Sequence, residues 1–144
     1  MLNLTIEPYK KQCKTAELWD FIEDNLRLKG FPKPMYWVSH SDIVQRRKNN
    51  EIFLAMQGGK MLGCVIIKKE NIEILCVRKR YRRKGIGKAL IEHVVAILAR
   101  DKRRKYIKVD SLCNFGVKEF YEKLGFTDYI SNVYDYTWHL KKAL

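Results

Sequence analysis

Polar and apolar residues alternate over residues 2–7, which predicts a short strand that Pro8 stops. From residue 15 the period changes. Ala16, Leu18, Trp19, Ile22 and Leu26 recur at close to helical spacing, so a helix is predicted over 15–28. Gly30 ends it, and Pro32 and Pro34 make a rigid turn after it. Residues 39–49 read as a second, more polar helix, with Ser39 or Ser41 as its cap. Two apolar runs, 51–56 and 61–68, flank Gly58-Gly59, which is a hairpin signal. A third run, 72–77, follows the polar connection Lys69-Glu70-Asn71, so three neighbouring antiparallel strands are predicted.

The chain changes character at Arg78. Residues 78–84 read R-K-R-Y-R-R-K, and Gly85-Ile86-Gly87 follows. Leu90, Ile91, Val94, Val95, Ile97 and Leu98 then form the apolar stripe of a clear helix. The basic cluster 102–105 lies past its C-terminal end, where positive charge suits the helix dipole. Residues 106–110 predict a strand. Val117, Phe120, Tyr121 and Leu124 fall at i, i+3, i+4 and i+7, a further amphipathic helix closed by Gly125. Residues 126–140 carry strand formers in two stretches, broken near Ser131-Asn132. The order β, α, α, β, β, β, α, β, α, β, β is that of a mixed α/β (α+β) domain. Its strand–helix–strand unit over 72–110 implies a right-handed crossover and a locally parallel pair. Without repeats, low-complexity segments or linkers, a single domain over 1–144 is expected.

Composition narrows the class. With 47% hydrophobic and 31% charged residues, 144 residues form a globular domain with its own core. Collagen, coiled coil and large two-domain enzyme are excluded. The net charge of +13 predicts attraction to a polyanion: nucleic acid, an anionic membrane surface or a phosphate-rich small molecule. No apolar run approaches the ~20 residues of a membrane span, and residues 1–11 lack the apolar core of a signal peptide, so no membrane association is expected. Cys13, Cys64, Cys76 and Cys113 form no C-x-x-C pair and have only His40, His93 and His139 for company. Reduced, mostly buried thiols in a cytoplasmic protein are expected, with no metal.

The sharpest chemical feature is Arg82-Arg83-Lys84-Gly85-Ile86-Gly87, set between a strand and a helix. Glycines let successive backbone N–H groups turn inward, and the helix start adds its positive end, making a preformed phosphate site. Neither the dinucleotide fingerprint G-x-G-x-x-G nor the nucleotide loop G-x-x-x-x-G-K-[ST] is present. The wider order carries more information. Val77, a spacer ending in Tyr81-Arg82, the Gly-rich turn and an apolar helix are followed by a strand, Asn114, and then Phe120-Tyr121-x-x-Leu124-Gly125-Phe126. Over about residues 51–126 this order resembles the GNAT superfamily of acyl-CoA-dependent N-acyltransferases.

The resemblance implies one mixed, mostly antiparallel sheet with a central splayed parallel strand pair, flanked by about four helices. It implies that backbone groups of Leu75, Cys76 and Val77 bind the pantetheine arm of acetyl-CoA in a V-shaped cleft. Arg82 and the amides of Arg83, Lys84, Gly85, Ile86, Gly87 and Lys88 would hold its pyrophosphate, with exposed Arg and Lys side chains reaching toward the 3′-phosphate. Lys79-Arg80 departs from the Pro-acidic pair common in the family; main-chain binding of pyrophosphate does not depend on it. Asn114 suits cofactor binding as in relatives and equally suits a helix N-cap.

Acyl transfer to an amine needs two proton transfers. A phenol with a pKa of about 10 stays protonated near neutrality, so Tyr121 is the candidate acid, placed by the resemblance beside the thioester sulfur. Spacing alone also allows Tyr121 to be core. Glu73 is the only acidic residue in the 72–77 run and is the candidate base; an exposed edge position is the competing reading. Strict alternation would set Glu73, Leu75 and Val77 on one face and Ile72 and Ile74 on the other. Some relatives carry the carboxylate on the next strand, where this chain has Val109; Asp110 points to the opposite face. Cys76 and Cys113 lie near the expected thioester but read as structural. Tyr134, Tyr136, Trp138 and His139 are candidates for an acceptor pocket or for core.

The resemblance implies transfer of an acetyl group from acetyl-CoA to a primary amine by direct attack in a ternary complex. The acceptor is a small amine, an amino acid or a protein amine. An alternative is an RNA-linked amine such as aminoacyl-tRNA, suggested by the basic clusters at 46–48 and 102–105. A third reading is a non-catalytic module binding acyl-CoA and nucleic acid. The chain acts as a monomer or homodimer.

Overall fold

The computed structural model describes residues 3–26, 39–112, 117–132 and 137–144. Seven strands form one sheet: β1 (Thr5–Pro8), β2 (Ile52–Gln57), β3 (Lys60–Lys68), β4 (Asn71–Val77), β5 (Tyr106–Leu112), β6 (Thr127–Asn132) and β7 (Thr137–Ala143). Their spatial order is β1-β2-β3-β4-β5-β7-β6. Every neighbouring pair is antiparallel except β4 and β5, which run parallel. The helices are α1 (Thr15–Leu26), α2 (His40–Lys48), α3 (Ile86–Leu98) and α4 (Val117–Lys123), with a 3-10 turn over Lys79–Tyr81. This is the mixed architecture expected from the order of elements.

Helices cover both faces of the sheet, and this accounts for the unbroken apolar runs of β2 and β3. On one face Ile86, Leu90, Ile91 and Val94 of α3 pack on Phe53, Val65 and Ile107. On the other, Leu18, Phe21 and Ile22 of α1 and Ile43 of α2 pack on Leu54, Cys64 and Ile74. The cap of α2 is Ser39, not Ser41. Its hydroxyl accepts from the Asp42 N–H, while the Asp42 carboxylate accepts from the Ser39 N–H at 2.9 Å. The reciprocal pair satisfies two of the helix's orphan donors.

One boundary differs from expectation. β1 begins at Thr5 rather than at residue 2. The break expected near Ser131-Asn132 falls directly after Asn132, the last residue of β6, and β7 begins at Thr137.

Candidate active site

β4 and β5 pair only at Asn71 with Lys108 and Ile72 with Val109. Beyond Ile72 the two strands part, and among the described residues nothing pairs with that edge of β4. The edge is therefore a row of main-chain donors and acceptors facing a split in the middle of the sheet. Its contents follow from the other edge. The Arg78 N–H donates to the Leu62 carbonyl at 2.8 Å, so alternate residues turn their backbone to β3. The Cys76 carbonyl obeys this, lying so close to Gly63 that a Cβ there would sit 2.9 Å from it. Leu75 presents its N–H and C=O to the split and Val77 its N–H, the Val77 carbonyl being taken by Arg82. Cys76 does not, which corrects the expectation that all three line it.

Above the split, α3 starts with uncommitted donors. Ala89 is the first residue whose N–H finds a partner one turn back, on Gly85 at 3.0 Å. The N–H groups of Ile86, Gly87 and Lys88 have no such partner by helical geometry. Gly85 enters the helix with φ 84° and Arg83 with φ 61°, and these left-handed conformations turn the loop back over the helix end. Gly87 is packed where the loop meets the split. A Cβ added to it would lie 3.3 Å from the Phe120 ring and 3.8 Å from Leu75. Arg83, Lys84 and Lys88 are exposed around this point.

Arg82 behaves differently from its neighbours. Its Nε donates to the Val77 carbonyl at 3.1 Å and its terminal nitrogen to the Asn25 carbonyl. The side chain holds the loop and is not an available phosphate ligand. Asn25 of α1, buried to 8% exposure, completes the tether. Its amide oxygen accepts from the Lys79 N–H at 3.0 Å, and its amide nitrogen donates to the Phe21 carbonyl at 2.8 Å. Sequence reading missed Asn25. The signal was a polar amide on the same helical stripe as Leu18 and Ile22. Asn25→Ala is expected to cost about 1 kcal/mol, because the part-buried Lys79 N–H loses its acceptor. Urea unfolding checks this; an unchanged midpoint counts against the tether.

The Tyr121 ring is buried at 6% exposure and stacks edge-on against Phe120 and Phe126, at 5.1 and 5.3 Å between centroids. Burial pushes its pKa well above the ordinary phenol value, so it holds its proton at any physiological pH. Tyr121 belongs to the core on the α3 face.

Glu73 is placed otherwise than alternation predicts. Ile66 of β3 pairs with Ile74 and Ile67 pairs with Ile72, so Glu73 is the extra residue of a β-bulge. The bulge breaks the period of two. Ile72, Leu75 and Val77 pack on the α3 face, whereas Ile74 and Cys76 pack on the α1–α2 face. Glu73 joins the second group by meeting Arg46 of α2. Arg46 donates from Nε to one carboxylate oxygen at 3.2 Å and from a terminal nitrogen to the other at 3.0 Å. This contact raises the pKa of the already cationic Arg46 further. Glu73 is thus neither on an open edge nor on the face of Leu75 and Val77, but a partner in a half-buried bidentate ion pair.

The remaining candidates separate clearly. Cys64 and Cys76 are register partners on β3 and β4 and are both buried. The Cys76 thiol and burial push the Cys64 pKa well up, so these are inert packing groups. Val109 is buried. Asn114, Cys113, Tyr134 and Tyr136 lie outside the described residues. Among the described residues no cluster of His, Cys, Asp or Glu is placed to hold a metal ion, and no helix is long and apolar enough to cross a membrane. A cavity of about 500 Å³ lies between α1 and the β2–β3 hairpin, with Asn25 and Arg78 in its wall. Glu17, Asp20, Phe21, Met56 and Met61 line it, and neither Gly87 nor Tyr121 does.

The model of the GNAT acetyltransferase domain matches residues 48–128, which contain the split, the loop, α3 and α4. The chain belongs to the GNAT acetyltransferase family. That membership makes it an acyl-CoA-dependent N-acyltransferase of the same class. Solved structures agree in fold. A GCN5-related N-acetyltransferase from Rhodopseudomonas palustris is 18% identical, covers 100% of this chain and 98% of its own, and superposes with a TM-score of 0.77. The PaiA N-acetyltransferase from Thermoplasma acidophilum, solved with coenzyme A, is 16% identical over 99% of this chain and 100% of its own, with a TM-score of 0.78. The ribosomal-protein-S18-alanine N-acetyltransferase from Escherichia coli is 18% identical over 97% of this chain and 93% of its own, with a TM-score of 0.72. At these identities the likeness is one of fold. No curated protein matches this GNAT acetyltransferase in sequence.

Proposed function

We propose that this GNAT acetyltransferase, acting as one domain over residues 1–144, transfers the acetyl group of acetyl-CoA to a primary amine by direct attack in a ternary complex. The observation that carries the reading is the meeting of two sets of uncommitted main-chain groups at Gly87. One is the free edge of β4, the N–H and C=O of Leu75 and the N–H of Val77; the other is the N–H cluster that opens α3. An amide-containing arm ending in a pyrophosphate fits this pair. Leu75 and Val77 would pair with the arm as a strand would, and Ile86, Gly87 and Lys88 would donate to the phosphates. Arg83, Lys84 and Lys88 add positive charge, while Arg82 and Asn25 keep the loop in shape.

Acetyl-CoA supplies an activated acyl group; the protein supplies position and two proton transfers. Tyr121 lies on the α3 face with its proton retained, the state an acid needs to protonate a leaving thiolate. Glu73 lies on the α1–α2 face. A split sheet lets groups on opposite faces serve one reacting centre, so the amine enters from the α1–α2 side and the sulfur departs on the α4 side. Both Glu73 oxygens already accept from Arg46, so Glu73 takes the ammonium proton through water while Arg46 holds it. The identity of the amine lies with residues beside the split on that side.

The test is CoA release over a panel of polyamines, amino acids and peptides. Tyr121→Phe is expected to lower kcat by about 100-fold, the scale of a lost general acid, with the KM for acetyl-CoA unchanged. Stability should hold, because no described residue hydrogen-bonds the Tyr121 hydroxyl. Acetyl-CoA binding with no acetylation of any amine, and no effect of Tyr121→Phe, would leave a binding module and end the enzyme reading.

A further inference from the structure

The basic clusters at 46–48 and 102–105 are far apart in sequence, and the fold brings them to one place. β4 runs from Asn71 toward the phosphate loop after Val77. The opposite end of the sheet, where β4 begins, is a continuous cationic rim. At its β1 side Lys10 donates to the Asn50 side chain, and the Arg47 guanidinium lies 4.7 Å over the Tyr9 ring. Next come Lys48 at the end of α2 and the β3–β4 turn, where the Lys69 N–H donates to the Glu51 carboxylate at 2.6 Å. Glu70 then accepts from Arg104 at 3.0 Å, joining the turn to the α3–β5 loop. The Lys105 carbonyl accepts from Leu144 at 3.0 Å, and Lys142 donates to the Leu124 carbonyl at 2.6 Å, carrying the rim to the far strands. Six strand spacings of about 4.8 Å make it roughly 30 Å long.

Most of this charge is not neutralised by the protein. Of the carboxylates on or beside the rim, Glu70 is paired with Arg104 and Asp101 with Arg103 and Arg104, Glu51 accepts from the Lys69 N–H and the Asn49 amide, and Asp42 faces Lys68 and Arg46. Lys11, Lys48, Lys68, Lys69, Lys102 and Lys105 are exposed and make no ion pair among the described residues. Helix dipoles account for Lys48 and Arg47 at the end of α2. They do not account for Lys11, Lys68, Lys69 or Lys105, which sit at strand ends and in turns. Nor does the cofactor, whose phosphate loop is at the other end of the sheet.

We propose that this rim is a docking surface for the phosphate backbone of RNA. A row of lysines one strand spacing apart tracks a chain of phosphates, as backbone-binding grooves do. A membrane surface fits less well. Apolar side chains normally add to such binding, and the exposed large ones described are Val44 and Tyr106, the second lying under Lys141 at 4.3 Å. Exposed Asn71 stands among the lysines and suits the ribose 2′-hydroxyl, which DNA lacks.

Fluorescence anisotropy with labelled bulk transfer RNA, on the full chain without acetyl-CoA, tests the surface. Contact with four phosphates predicts about 100-fold weaker binding at 200 than at 50 mM KCl. The triple variant Lys48→Glu, Lys68→Glu, Lys102→Glu should bind RNA at least tenfold more weakly and CoA as before. The opposite-end triple Arg80→Glu, Lys84→Glu, Lys88→Glu should bind RNA within threefold of the parent, and excess CoA should not displace RNA. Equal loss from both triples, displacement by CoA, or equally tight binding of duplex DNA or phosphatidylserine vesicles overturns the proposal. Should the glutamate triple fail to fold, the glutamine triple at the same three positions should still lose severalfold; full affinity there also overturns it. Acetyl transfer to free amines is measured separately, so the failure of either reading is distinguishable.

Discussion

Gly87→Glu is expected to weaken acetyl-CoA binding by about 1000-fold, beyond the effect of any other single change at the loop. Three effects act together. The new Cβ meets the Phe120 ring at 3.3 Å, tighter than ordinary contact, and Phe120 is itself stacked on Tyr121 at 5.1 Å. The ring has little room to retreat, so the helix start must shift. That shift spoils the aim of the Ile86 and Lys88 N–H groups, and the carboxylate places negative charge where phosphates bind. Losing two charge-assisted hydrogen bonds at about 2 kcal/mol each gives about 4 kcal/mol, or the 1000-fold quoted. The fold should survive, because a carboxylate in the first turn favours the helix dipole. Titration calorimetry with CoA, alongside the thermal midpoint, separates the two effects. Unchanged affinity in a folded variant means that the phosphates bind elsewhere. Gly85→Ala is a milder companion. Nothing lies within 4 Å of its Cβ, so only the left-handed φ of 84° opposes it, at about 1 kcal/mol.

What the sequence disclosed and what it hid divide along a physical line. The Gly58-Gly59 hairpin, the α3 stripe and the loop between β4 and α3 were legible because each depends on residues within one turn or one strand. Glycines needed at positive φ and a period of 3.6 are local facts. The bulge at Glu73 is not local. It arises because Ile66 and Ile67 of β3 take Ile74 and Ile72 as partners, and no pattern within 72–77 announces the skipped residue. One inserted position moved Glu73 to the opposite face and reversed the alternation. Arg46 was hidden for a similar reason. In sequence it is one of three adjacent cations; in the fold it lies one turn beyond Ile43 on the buried face of α2 and is 6% exposed. Tyr121 stood between core and chemistry on spacing alone, and the structure gives it core burial and a firmly held proton together. Cys76 was misassigned because the edge to which a backbone turns depends on which neighbour it pairs with.

Breaking the Arg46–Glu73 pair should be the largest single loss of stability at the site, and its two halves should not be equivalent. The side chains are 7% and 22% exposed, respectively. Removing one member of a buried pair costs about 3–5 kcal/mol because the other is left charged and unpaired. Glu73→Gln strands the guanidinium, which is the drier partner, and should cost about 3 kcal/mol. Arg46→Met keeps the apolar volume and strands a carboxylate that water can reach, so it should cost less, about 2 kcal/mol. The double variant Arg46→Met, Glu73→Gln leaves no buried charge and should recover most of the loss, a coupling that urea unfolding of all four proteins measures directly. Additive losses mean that the pair is not a unit. The same set divides stability from catalysis. Under saturating substrates and at a temperature where each variant is folded, Arg46→Met should retain acetyl transfer, because the carboxylate remains. Glu73→Gln should lower kcat by about 100-fold, the scale of a lost general base. Were Glu73→Gln to keep the parental kcat, the pair would serve only to anchor α2 to the bulge. The proton of the incoming ammonium would then have to leave by another route on the α1–α2 side of the split.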